Sequence, residues 1–151
     1  MTHKHVFAIG VFDLFHIGHL RYLQFARAQG LRLTVGVTPD HIVLATKHKL
    51  PIINEQQRVE IIGGLGWVDS VRLLPSSTED TDTASAWIAE WGVDHVVVGG
   101  EWQNKARWNR LIPQLAAKNI SVEFAPHTDE ISTTKIIASL FEHNNMMKST
   151  A

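Results

Sequence analysis

The sequence predicts an α/β fold: a Rossmann-like, doubly wound parallel five-stranded sheet with helices on both faces. Two observations carry this. Short runs rich in β-branched residues alternate with longer stretches bearing broad apolar faces, and strand–helix alternation of this kind builds a parallel sheet. The chain has 151 residues, of which 44% are hydrophobic, enough for one domain with a sizeable core.

Val6–Ile9, Leu31–Val37, Val71–Leu74, His95–Val98 and Ile120–Phe124 read as strands, mostly bounded by Gly, Pro or Asp. His19–Gln29, Glu55–Leu65, Thr83–Trp91, Lys105–Lys118 and Ser132–His143 read as helices. Ser132 suits an N-cap, and Gly30 and Gly92 suit helix ends. Asp40 to Pro51 reads as a long connecting loop. Residues 1–143 form a single domain, and the polar stretch 144–151 is expected to fray.

Composition excludes several classes. A net charge of −1 argues against nucleic-acid binding, which calls for a basic excess. The absence of cysteine excludes a disulfide framework and suits a reducing cytoplasm. No 18-residue apolar run and no cleavable leader are seen, so the expectation is a soluble cytoplasmic protein without a membrane partner.

The chemistry-bearing residues fall where strands give way to helices. His16-Ile17-Gly18-His19 follows the first strand. A helix start presents unpaired N–H groups and a dipole that favours anions, Gly18 lets a ligand oxygen approach the backbone, and the two imidazoles add donors whose charge adjusts near neutral pH. The pattern points to phosphate. No metal-ligating residues are assigned, because cysteine and a His-Glu-x-x-His pattern are both absent. Ligands in such sheets bind beyond the carboxyl ends of the strands. Lys47-His48-Lys49, Gly99-Gly100-Glu101-Trp102 and Ile131-Ser132-Thr133-Thr134 reach that same rim from distant sequence.

Gly10-Val11-Phe12-Asp13-Leu14-Phe15-His16-Ile17-Gly18-His19 resembles the nucleotide-binding motif of the cytidylyltransferase-like nucleotidyltransferases, and Ile131-Ser132-Thr133-Thr134 resembles the element that closes their nucleotide site. The resemblance implies transfer of a nucleoside monophosphate to a small phosphate monoester, with pyrophosphate released and no covalent enzyme intermediate. His16, His19 and Lys47 would be catalytic. Gly10, Val11, Phe12, Gly18, Lys49, Gly99, Glu101, Trp102, His127, Ile131, Ser132, Thr133 and Thr134 would bind the nucleotide, with Asp13 and Arg58 in support. Arg58 matches a family arginine and reads equally as structural; Asp13 is a ligand or a brace. The resemblance also implies Mg2+ arriving with the triphosphate, and a homodimer.

Lys47-His48-Lys49 resembles the lysine loop of the choline- and ethanolamine-phosphate cytidylyltransferases, which favours CTP with glycerol 3-phosphate, phosphocholine or phosphoethanolamine. Departures from the glycerol-phosphate pattern remove fixed positive charge. His127 stands for an arginine, Glu130 for a glycine, Gly66 for a basic residue, and Gly100-Glu101 for an Asp pair. Gly10-Val11-Phe12-Asp13, Gln57-Arg58 and the Gly-Gly-acid-aromatic run also resemble the heptose-1-phosphate adenylyltransferases, which makes ATP and a sugar phosphate the alternative. A nucleotide-binding module without turnover is the other. Five tryptophans are many for this length and are expected either to complete the core or to mark a dimer face.

Overall fold

The computed structural model describes residues 2–128 and 131–149. Five parallel strands form one sheet: β1 (His3–Gly10), β2 (Gly30–Val37), β3 (Ser70–Leu73), β4 (His95–Gly99) and β5 (Ser121–Ala125), in the order β3-β2-β1-β4-β5. The strand order reverses at β1, which pairs with β2 on one side and β4 on the other. The expected fold class holds.

Two apolar clusters cover the two faces. α1 (Ile17–Ala28) and α3 (Glu55–Gly63) bring Leu23, Ala26 and Ile62 against Val6, Ala8, Leu33 and Val35. On the other face, α4 (Thr81–Glu90) and α5 (Ala106–Ala116) pack Trp87, Ile88, Trp108 and Leu111 against Phe7 and Val96. Strands buried on both faces read as continuous apolar runs, which is why they were visible in the sequence. The surplus of tryptophan is used here. Trp87 and Trp108 are buried, and the Trp91 ring lies 4.7 Å from that of Trp87, tilted by 47°, beneath the Arg72 guanidinium. The aromatic count therefore marks a core and gives no separate support to a dimer.

Two elements depart from the sequence reading. The Asp40–Pro51 connection begins with a helix, α2 (Asp40–Lys47), whose Ile42 and Val43 are buried. Its β-branched residues disguise a short helix that tertiary packing stabilises. The last helix, α6 (Thr133–Ser149), runs on past His143, so the stretch expected to fray is helical as far as Ser149. Among the described residues no helix is long and apolar enough to cross a membrane.

Arg58 locks the rim where strands β1 and β2 end. Its side chain is fully buried, and its guanidinium donates to the carbonyls of Val11 (2.7 Å), Thr38 (2.9 Å) and Ile53 (2.9 Å) and to Asp40 Oδ1 (2.6 Å). It lies outside the cavity described below, so of its two readings the geometry supports the structural one. Removing one member of a buried ion pair leaves an uncompensated charge, and Arg58→Met should cost about 3–5 kcal/mol. Urea denaturation checks this; a loss within 1 kcal/mol of zero, a small surface-type effect, would mean that the clamp does not hold the rim.

Candidate active site

A cavity of about 500 Å3 opens at the carboxyl ends of β1, β2 and β4. Its floor is the β1–α1 loop. There Phe12 and Leu14 both take positive φ (58° and 50°), which is costly for side chains of this size and is held only by surrounding contacts. Phe12 folds back so closely over Gly10 that a Cβ there would lie 2.8 Å from the ring. Its ring also stacks on Tyr22 and meets His19 edge-on. Gly10 thus serves the loop's own packing.

Asp13 braces this loop. Both its carboxylate oxygens accept backbone N–H bonds, from Ile52 at 2.8 Å and Ile53 at 2.9 Å, while its carbonyl accepts from the Thr133 hydroxyl at 2.8 Å. Of its two readings the brace is the one supported. Thr133 and Thr134 line the cavity, but the Thr133 hydroxyl is directed to the loop. Ser132 Oγ accepts from Lys135 N and caps α6, as its position suggested.

The His-Ile-Gly-His segment starts α1 by pairing its own groups. His16 Nδ1 accepts from Gly18 N at 3.1 Å and His19 Nδ1 accepts from His16 N at 3.3 Å, a reciprocal capping box made of two imidazoles. This corrects the expectation that Gly18 is bare so that a ligand can reach its backbone. A Cβ on Gly18 would meet the His16 ring at 2.9 Å and Ile131 at 3.2 Å, so the missing side chain makes room for those two residues.

A nitrogen that accepts carries no proton, so each neutral ring holds its proton on Nε2 and has one N–H left to donate. The rings stack at 3.7 Å. Burial lowers the pKa of both, and for His19, with His16 beside it, the value falls from 6.5 to about 4. The pair is therefore neutral at pH 7, not poised to change charge there. His19 lines the cavity; His16 does not.

Positive charge comes from elsewhere. Lys47 ends α2 and Lys49 follows it, and both line the cavity. The Lys47 pKa lies below its ordinary value, first through burial and then through the charges of Lys49 and Arg107. Gly99, Val11, Glu101 and Trp102 also line the cavity. His127 does not; it is half exposed with Nδ1 3.8 Å from Glu101 Oε2. Ile131 and Ser132 lie off the wall too, and Glu130 lies outside the described residues.

The structure adds residues that sequence reasoning missed. The Tyr22 hydroxyl accepts from Ile9 N and lies 2.9 Å and 2.7 Å from the carbonyls of Ile9 and Val97. It fills the point where the β1–β4 ladder ends, at Ala8 and Val97, and burial pushes its pKa up. Arg107, on the first turn of α5, and Thr78, after β3, line the cavity together. Neither belongs to a recognisable motif. Among the described residues no group of three or more His, Cys, Asp or Glu could hold a metal ion.

The cytidylyltransferase-like family matches residues 7–139. The chain belongs to the cytidylyltransferase-like family and is a nucleotidyltransferase. It is 36% identical over 138 residues to the bifunctional protein HldE of Citrifermentans bemidjiense, covering 91% of this chain and 27% of that one. The bifunctional protein HldE of Hyphomonas neptunium is also 36% identical, over 133 residues, 87% of this chain and 26% of its own. The chain spans about a quarter of the length of these curated relatives. Among solved structures, the lipopolysaccharide core biosynthesis protein of Thermoplasma volcanium superimposes with a TM-score of 0.66 at 27% identity, over 84% of this chain and 99% of its own. A bifunctional NMN adenylyltransferase/ADP-ribose pyrophosphatase of Francisella tularensis, at 13% identity, a TM-score of 0.58 and coverage of 89% of this chain and 40% of its own, shares the fold.

The imidazole pair gives the site a pH signature. His19 binds a proton more readily unfolded (6.5) than folded (about 4), so folding stability falls as pH drops through that window and is intact above it. His19→Gln should remove about 1.4 kcal/mol per pH unit of that slope. Urea titrations between pH 7 and pH 4 measure it, and an unchanged slope would mean that the ring is solvated in the native state.

Proposed function

We propose that this domain transfers a nucleoside monophosphate, AMP from ATP, to a sugar phosphate with release of pyrophosphate. The observation that carries the acceptor class is the charge of the cavity wall. Lys47, Lys49 and Arg107 all line it, with Glu101 as the main acidic counterpart. A wall of this kind suits an acceptor whose only charge is negative and disfavours the ammonium groups of phosphocholine and phosphoethanolamine. Thr38, Thr46, Ser77 and Thr78 add hydroxyls to the same lining, matched to a polyol.

The lysine pair that favoured CTP speaks to phosphates, which every nucleoside triphosphate shares. With that support removed, the resemblance to heptose-1-phosphate adenylyltransferases has more weight. Similarity to the HldE proteins and to a lipopolysaccharide core biosynthesis protein points the same way.

In this reading an acceptor phosphate oxygen attacks the α-phosphorus of the triphosphate, the bond to the bridging oxygen breaks, and pyrophosphate leaves. His19 donates Nε2–H to a phosphate oxygen as charge develops, and Lys47 bridges the acceptor phosphate and the α-phosphate. His16 fixes the ring of His19 by stacking and capping. Bound triphosphate raises the pKa of both His19 and Lys47, because each then faces negative charge. Magnesium enters with the triphosphate as part of the substrate. Asp13's oxygens are occupied by N–H donors, so the phosphates supply most of the ligands, with Glu101 the available carboxylate.

Pyrophosphate release measured with four nucleoside triphosphates against a panel of acceptors tests the reading. ATP with a hexose or heptose phosphate should be the best pair, and His19→Ala and Lys47→Ala should each lower kcat roughly 10²–10³-fold. Turnover with CTP and phosphocholine alone would overturn it. Tight nucleotide binding with no pyrophosphate from any acceptor would favour the module without turnover.

A homodimer is proposed from the family resemblance, with the exposed Leu140, Phe141, Met146 and Met147 of α6 as its contact in place of the tryptophans. Light scattering should give twice 16.9 kDa at micromolar concentration, and Phe141→Glu should halve it. A concentration-independent mass of one chain would exclude the dimer.

A further inference from the structure

Arg107 is placed where a cation is an expense to the fold. It sits in the first turn of α5, at the positive end of the helix dipole, next to Lys105 and with no acidic residue in that turn. Its side chain is only 19% exposed. Burial lowers its pKa, with Arg110 adding to the effect and Glu79 opposing it. Three contacts nonetheless aim it. Nη1 donates to Thr78 Oγ1 at 3.0 Å, Nη2 donates to Glu79, and the guanidinium lies 4.7 Å over the Trp102 ring.

These contacts leave the fork able to act. A guanidinium has five N–H donors, and those to Thr78 and Glu79 use two of them among the described residues. Thr78 is 5% exposed and lines the cavity. Its oxygen accepts from Arg107, so its own O–H remains to donate. An arginine held over an aromatic ring, beside a buried hydroxyl on a cavity wall, is a preorganised receptor for a pair of oxygens.

Thr78 follows the edge strand β3, two strands from β1, whose loop leads to His19. Thr78 and Arg107 therefore line the same cavity as His19 from different elements.

We propose that Arg107 and Thr78 receive an oxygen pair at the end of the acceptor remote from the reacting phosphate, and so select a sugar phosphate over a shorter phosphorylated alcohol. This rests on the sugar-phosphate reading above. The oxygen pair is a vicinal diol or a carboxylate.

The test uses the full chain and two variants, Arg107→Gln and Thr78→Val, the second nearly isosteric so that the wall keeps its shape. Calorimetry with a panel of hexose, heptose and uronic acid phosphates, and with glycerol 3-phosphate, gives binding whether or not turnover occurs. The best sugar phosphate should bind the wild type at least tenfold more tightly than glycerol 3-phosphate. Each variant should lose about tenfold in that affinity, the loss of a charge-assisted hydrogen bond, while affinity for glycerol 3-phosphate and ATP changes less than about twofold. A uronic acid phosphate as the best ligand identifies the carboxylate, and a neutral sugar identifies the diol. Wild-type binding without pyrophosphate release would overturn the function proposed above and leave this inference to be decided by the variants. No wild-type preference for a sugar phosphate, a preference kept in both variants, or an equal loss for ATP would overturn the inference itself.

Discussion

A buried guanidinium must find acceptors, and that requirement organises the ligand-binding rim. Arg58 satisfies its donors with the carbonyls of Val11, Thr38 and Ile53 and the carboxylate of Asp40. Those groups belong to the loop after β1, the end of β2, the start of α2 and the segment before α3. Asp13 works in the opposite sense, accepting from the N–H groups of Ile52 and Ile53. One charge of each sign thus ties the same chain segments together, the cation through carbonyls and the anion through amides. Neither side chain needs a ligand to complete it, so the rim is fixed before substrate binds. Preorganisation of this kind is what a reaction with no covalent enzyme intermediate depends on.

The fixed rim surrounds a crevice made by topology. The β1–β4 ladder ends at Ala8 and Val97, although β1 continues to Gly10 and β4 to Gly99. Tyr22 takes up the backbone groups of Ile9 and Val97 left at that point. Phe12 stacks on Tyr22, and His19 meets Phe12, so the imidazole is positioned through an aromatic chain that begins at the sheet. The same packing desolvates His19 and keeps it neutral. In the proposed mechanism neutrality is useful: the ring has one N–H to give, and the positive charge is left to Lys47, which lines the same cavity.

Fold and family were legible in the sequence because both rest on local patterns. Continuous apolar runs gave the strands, and His16-Ile17-Gly18-His19 marked a strand-to-helix junction without any tertiary information. The roles of individual residues were less legible. Gly18 read as an opening for a ligand, yet its space is filled by His16 and Ile131, a contact between segments far apart in the chain. α2 was hidden because Ile42 and Val43 have low helix propensity and are held by burial. Arg107, Thr78 and Tyr22 had no signal at all. Their importance comes from where the fold carries them, and a single arginine in an amphipathic helix reads as an ordinary solvated charge.

That difference also explains why reaction class and substrate choice separate so cleanly here. The reaction class was read from short motifs, His16-Ile17-Gly18-His19 and Ile131-Ser132-Thr133-Thr134, each written in contiguous residues. Selection among acceptors is proposed to draw on another part of the cavity wall, where Thr78 after β3 meets Arg107 after β4. Such a wall can change by single substitutions without disturbing the Arg58 and Asp13 braces, since they share no hydrogen-bond partner with it. A fold arranged in this way can keep one chemistry while its acceptor drifts. The resemblance of the first loop to several enzyme groups at once is what that arrangement would produce, with the proposed selecting residues, Thr78 and Arg107, lying outside that loop.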